Sequence, residues 1–77
     1  MIHILLFASL QEKVGKDRVD IELDQISVTD LKNSLKERYP LTEIDQVMVA
    51  INEEYAIDTD IVRAGDTVAF IPPVSGG

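Results

Sequence analysis

The residues of this chain best placed to do chemistry stand together at one end, Pro72-Pro73-Val74-Ser75-Gly76-Gly77. The reactive group there is the α-carboxylate of Gly77 rather than a side chain. A glycine carboxylate has no Cβ to hinder attack at its carbonyl carbon, and Gly76 lets the preceding backbone take whatever angles a narrow channel demands. Pro72 and Pro73 fix φ and remove backbone donors, so a strand through Phe70 and Ile71 cannot go on pairing. They also bias their predecessors toward extended angles, which predicts a stiff exit. The four residues beyond Pro73 reach roughly 13 Å at about 3.3 Å each. Side-chain bulk falls from Val74 to Ser75 to the glycines, the profile of a thread that enters another protein. Residues 74–77 are therefore expected to form a flexible, extended tail on a domain of residues 1–73.

Other chemistries have little to work with. The chain has no cysteine, which excludes disulfides, thiolate metal sites and cysteine nucleophiles. His3 is the lone histidine, so no triad or histidine-rich metal site can form, and no metal is expected. It reads as a residue on a sheet surface. Asp58 and Asp60 flank Thr59 but lack the glycine and distal glutamate of a calcium loop, and read as a turn with a helix cap. Glu53-Glu54 reads as a solvated hairpin tip. Fourteen acids stand against 7 bases, for a net charge of -7. Nucleic acid and anionic membranes would be repelled by such a surface, so a basic protein is the better expected partner. The apolar start, Met1 to Phe7, has no basic flank and is far too short for a signal peptide or a membrane span. The expected location is cytoplasmic.

The elements that must position the tail fit one small domain. At 77 residues the chain buries only roughly 60% of its unfolded surface, enough for a modest core but not for a deep enclosed site. With two Phe, two Tyr and no Trp, that core must be aliphatic. Ile2 to Phe7 is a predicted strand with Ile2, Ile4 and Leu6 on one face and His3, Leu5 and Phe7 on the other. Ser9 to Glu12 has capping-box spacing, and Gly15 suits a C-terminal cap, which predicts one or two helical turns between them. Arg18 to Leu23 alternates as a strand with Val19, Ile21 and Leu23 facing the core. Ser27 and Asp30 begin a second capping box. Val28, Leu31 and Leu35 then recur at helical spacing, with Tyr39 beyond, while Lys32, Lys36, Glu37 and Arg38 lie mostly off the stripe. Lys36 and Arg38 suit the C-terminal dipole, and Pro40 ends this helix, predicted over 28–38. Val47 to Ile51 is a strand apolar on both faces and so expected to be central. A turn at 52–54 precedes a short edge strand at 55–57, and a single helical turn is expected through Ile61 and Val62. Thr67 to Ile71 is the last strand, with Val68 and Phe70 on one face and Thr67, Ala69 and Ile71 on the other. One main helix across a mixed four- or five-stranded sheet is an α+β domain of β-grasp type. A split βαβ arrangement would need a second full helix, for which 41–46 is too short.

Several stretches together resemble the small, sulfur-carrying subunit of molybdopterin synthase. These are Ile4-Leu5-Leu6-Phe7-Ala8-Ser9-Leu10 with Glu12 and Gly15, Glu37-Arg38-Tyr39-Pro40, Ala50-Ile51-Asn52-Glu53-Glu54-Tyr55, and Ala64 through Gly77. The last is the most specific. The resemblance implies a ubiquitin-like β-grasp fold and a division of labour. An E1-like enzyme would adenylate the Gly77 carboxylate with ATP and Mg²⁺, and sulfur from a persulfide donor enzyme would replace AMP to leave a thiocarboxylate. The tail, Pro72 to Gly76, would then enter the large subunit and deliver sulfur to cyclic pyranopterin monophosphate bound there. Building the dithiolene takes two such transfers. Catalytic side chains would belong to the large subunit, in a heterotetramer, and this chain would hold no stable cofactor. Phe7, Tyr55 and Ile71 are the docking residues implied. Gln11 stands where the family often has Arg, so a contact made through that Arg would be weaker or replaced here. Two rival readings remain: a related carrier serving thiamine, tRNA thiolation or cysteine synthesis, and a ubiquitin-like binding module with no carrier role.

Overall fold

In the computed structural model, residues 1–39, 41 and 44–72 are described. The chain begins with β1 (Ile2–Leu6), α1 (Ala8–Val14), β2 (Arg18–Ile21), β3 (Gln25–Ser27) and α2 (Val28–Arg38). A 3₁₀ turn at Ile44–Gln46 leads to β4 (Met48–Ile51), β5 (Glu54–Ala56), β6 (Ile61–Arg63) and β7 (Thr67–Ile71). Five strands form a mixed sheet in the order β2-β1-β7-β4-β5, and β3 pairs with β6 apart from it. Only the β1–β7 contact is parallel within the five-stranded sheet. The α+β, β-grasp expectation is met, with five strands rather than four.

The two faces of the sheet differ sharply. Ile2, Ile4 and Leu6 of β1 and Val68 and Phe70 of β7 are at most 1% exposed. They join one cluster with Leu10 of α1 and with Val28, Leu31 and Leu35, the predicted stripe of α2. Full burial of such side chains contributes about 1.5–3 kcal/mol each, so this layer anchors β7 and everything that follows it. Ser27 caps α2 as its spacing predicts, its Oγ accepting from the Asp30 amide at 3.1 Å.

Five details depart from the sequence expectation. Ser9 does not cap α1: the cap position falls on Phe7, with no side-chain bond, because Ala8 turns the chain at φ 51. Gly15 does close that helix, at φ 83. Leu23 lies beyond β2 and is 36% exposed, because the strand stops at Ile21. Residues 61–63 are strand β6 rather than a helical turn, since β3, which sequence periodicity did not reveal, supplies a pairing partner. β4 is interior, between β7 and β5, but β7 holds the central place. Lys32 lies off the apolar stripe yet is 6% exposed, its Nζ donating to Asp58 at 2.9 Å. The Asp58–Asp60 turn thus serves α2 from outside. The carbonyls of Asp60 and Asp58 accept from the amides of Val28 (3.0 Å) and Thr29 (3.1 Å), filling first-turn donors that a helix leaves open.

Candidate functional site

Strand parity leaves the other face of the sheet without a helix. Cross-strand register aligns Arg18, Leu5, Ala69, Ala50 and Tyr55 in one row over all five strands. A second row pairs Ile71 with Met48. Phe7 keeps extended angles, φ -125 and ψ 153, and so continues the alternation of β1 onto this face. A groove of about 700 Å³ results, lined by Leu5, Phe7, Ala50, Asn52, Glu53, Tyr55, Thr67, Ala69 and Ile71.

The three predicted docking residues are therefore brought together along one groove. Tyr55 is 74% exposed, Phe7 44%, and Ile71 half-buried. The structure adds Met48, 47% exposed and opposite Ile71. Sequence reading could assign Leu5 and Ala69 to this face by parity. It could not place Met48, whose partner is known only once the β4–β7 register is set. Pro72, half-buried, follows Ile71 directly, so the chain leaves β7 at the end of the sheet that holds Phe7 and Met48. Pro73, Val74, Ser75, Gly76 and Gly77 lie outside the described residues.

At its other end the groove meets the β4–β5 turn, which a polar network ties to the start of β7. The Asn52 amide donates to the Thr67 carbonyl at 2.8 Å, and the Thr67 amide donates to Asn52 Oδ1 at 3.0 Å. Asn52 Nδ2 donates to Asp66 Oδ1 at 2.9 Å, while Asp66 Oδ2 accepts from the Arg63 amide at 2.9 Å. That amide first, then the Asn52 side chain, holds the Asp66 carboxyl below the ordinary aspartate value. The hairpin tip is Asn52-Glu53 rather than Glu53-Glu54, since Glu54 already opens β5.

His3 sits where expected, on the sheet surface, but it is not idle there. Its Nδ1 lies 2.8 Å from Asp20 Oδ1 and 2.8 Å from Arg18 Nη2, and Arg18 Nε donates to Asp20 at 3.1 Å. The bond to His3, then that to Arg18, lowers the Asp20 carboxyl. Gln11 is exposed on α1, its carbonyl accepting the Gly15 amide. Among the described residues, no group of three or more His, Cys, Asp or Glu is arranged to hold a metal ion, and no helix is long and apolar enough to cross a membrane. The site is thus a largely apolar sheet face beside Pro72, where the chain leaves β7.

A mixed five-stranded sheet packed on two helices, α2 and the shorter α1, defines a ubiquitin-like β-grasp protein. The chain belongs to the ThiS family, whose model matches residues 4–77. A relative from Dictyostelium discoideum, named molybdopterin synthase sulfur carrier subunit, is 41% identical, the match spanning 96% of this chain and 93% of that one. One of the same name from Drosophila melanogaster is 36% identical, covering 99% and 90%. Among solved structures, SAMP1 from Haloferax volcanii superposes with TM-score 0.78 at 34% identity, covering 99% and 98%. The fold alone is shared, at 20% identity and TM-score 0.70 over 99% and 97%, with a chain in the complex of subunits 1 and 2 of molybdopterin-converting factor from Helicobacter pylori.

Proposed function

We propose that this chain is the sulfur carrier subunit of molybdopterin synthase, working in the cytoplasm, and that the Gly77 carboxylate is its working group. The observation that carries the reading is the position of the apolar groove. Phe7 and Ile71 line it where Pro72 leaves β7, so a partner seated on the groove lies beside Pro72, the residue that leads toward Gly76-Gly77 in the sequence. Near full-length relatives of that name support the choice of cargo.

In this reading the folded body docks and the tail delivers. A free carboxylate is a poor electrophile, so an E1-like enzyme first joins it to AMP, consuming ATP with Mg²⁺ and releasing pyrophosphate. A persulfide sulfur from a donor enzyme displaces AMP, and a second thiol cleaves the acyl disulfide to leave the thiocarboxylate. The large subunit then receives the tail, Pro72 to Gly77, and holds cyclic pyranopterin monophosphate, to which the sulfur passes. Two large and two small subunits make up the assembly. The absence of cysteine from the carrier is consistent with a cargo borne on a backbone carboxyl.

The protein isolated from its native cell tests this by mass. A population heavier by the difference between one sulfur and one oxygen atom is expected, localised to the C-terminal peptide. Deleting Gly77 should abolish dithiolene formation in a reconstitution with a competent large subunit while leaving the melting temperature unchanged. A thiocarboxylated chain that makes no dithiolene there would move the function to a related pathway such as thiamine synthesis. A harmless deletion would leave only a binding module.

A further inference from the structure

Glu53 occupies a backbone position that suits glycine. The β4–β5 loop has Asn52 at φ 51 and Glu53 at φ 72, two successive left-handed residues as in a type I′ hairpin turn. Asn is an ordinary occupant of the first position, whereas the second is typically Gly. The network through Thr67 and Asp66 pins this turn, so Glu53 is presented from a fixed backbone. Among the described residues lining the groove it is the only charged one. Among the described residues nothing engages the Glu53 carboxylate, and of the carboxylates without such a bond, Glu53 is the one that lines the groove.

The groove therefore has two unlike ends. Phe7 and Ile71 mark the tail end, and four residues along β7, roughly 13 Å away, Glu53 marks the other beside Asn52 and Thr67. A partner that covers the apolar stretch also dehydrates this carboxylate. Hydration lost by a lone carboxylate is best made good by a well-placed cation that also donates hydrogen bonds. We propose that Glu53 is a specificity-determining residue of the docking face, pairing with an arginine on the protein whose apolar surface covers Phe7, Tyr55 and Ile71. This rests on the docking reading above. A guanidinium suits the site because its planar donors match a carboxylate in two bonds, and the net charge of -7 draws a basic partner. One charge at the far end of an apolar groove also fixes the direction of docking, so the tail can enter from one side only.

The test is titration calorimetry of the full chain against the molybdopterin synthase large subunit at low and at moderate salt. Glu53→Gln keeps the side chain's length and removes its charge. It should weaken binding at least about tenfold at low salt, the low end for a close charge pair at an interface, and flatten the salt dependence. Glu53→Arg should weaken it further, and Glu53→Asp should retain most of it. Wild-type affinity and salt dependence in Glu53→Gln would overturn the assignment. So would equal losses in the Gln and Asp variants, which would mean that shape rather than charge is read. Ile71→Asp in the same assay separates the two levels. If it binds normally, the docking face itself is wrong. If it fails to bind while Glu53→Gln is unaffected, only the role of Glu53 is wrong.

Discussion

Replacing Glu53 with glycine should make this protein more stable while weakening its docking. An L-residue in the left-handed region, here φ 72, pays roughly 1–2 kcal/mol from the close approach of Cβ to the following carbonyl oxygen. Glycine removes that strain but gives the unfolded chain more freedom, at a cost of about 0.5–1 kcal/mol. No bond of the Glu53 side chain is lost, because none is made among the described residues. At the middle of both ranges the net gain is roughly 0.75 kcal/mol. For a domain of this size each kcal/mol moves Tm by about 4–8 °C, so Glu53→Gly should melt about 3–6 °C higher. Differential scanning calorimetry at neutral pH checks this, with Glu53→Asn expected between wild type and Gly because Asn tolerates the same angles. A Tm at or below wild type for the glycine variant would refute the strain argument. Glu53 would then owe its presence to something other than a function worth a stability cost. A gain in Tm combined with weaker binding would mark a stability–function trade-off at one residue.

The buried Lys32 gives an asymmetric pair of outcomes. Asp58→Ala strands an ammonium whose side chain is 8% exposed and should cost about 2–3 kcal/mol in urea unfolding, while Lys32→Met leaves only an exposed carboxylate and should be near neutral or stabilising. Equal losses for both would show that the ion pair itself, not the desolvated lysine, sets the energy. Acid sensitivity should depend on Asp66 and Asp20. Their folded values lie below the ordinary 3.8, so their stabilisation is fully present above that pH and is lost as pH falls through the lower folded values. Melting curves from pH 5 downward should therefore show a smaller acid loss in Asp66→Asn than in wild type, and an unchanged acid limb would remove Asp66 from the account.

Much of the fold was legible because local signals agreed with one another. Ser27, Asp30 and the Val28-Leu31-Leu35 spacing marked α2 at both ends, since capping and periodicity are short-range effects. Alternation in β1 and β7 assigned their faces correctly before any pairing was known. Where a choice depended on a distant partner, sequence reading failed. β3 and β6 are three residues each and exist because they pair with one another across thirty-odd intervening positions. Lys32 is buried because the turn holding Asp58 lies over α2, which no helical wheel contains.

The same division holds for the site. Sequence alone determined the order Pro-Pro-Val-Ser-Gly-Gly, the absence of cysteine and the lone histidine, because these are matters of residue type. It also put Phe7 and Ile71 on the face away from the core, since parity along a strand needs no partner. Tertiary structure decided that Phe7, Ile71 and Tyr55 share one groove, that Met48 sits opposite Ile71, and that Glu53 stands at the groove's far end on a left-handed backbone. Those are questions of register and turn geometry, set by which strands pair and how tightly the chain reverses between them.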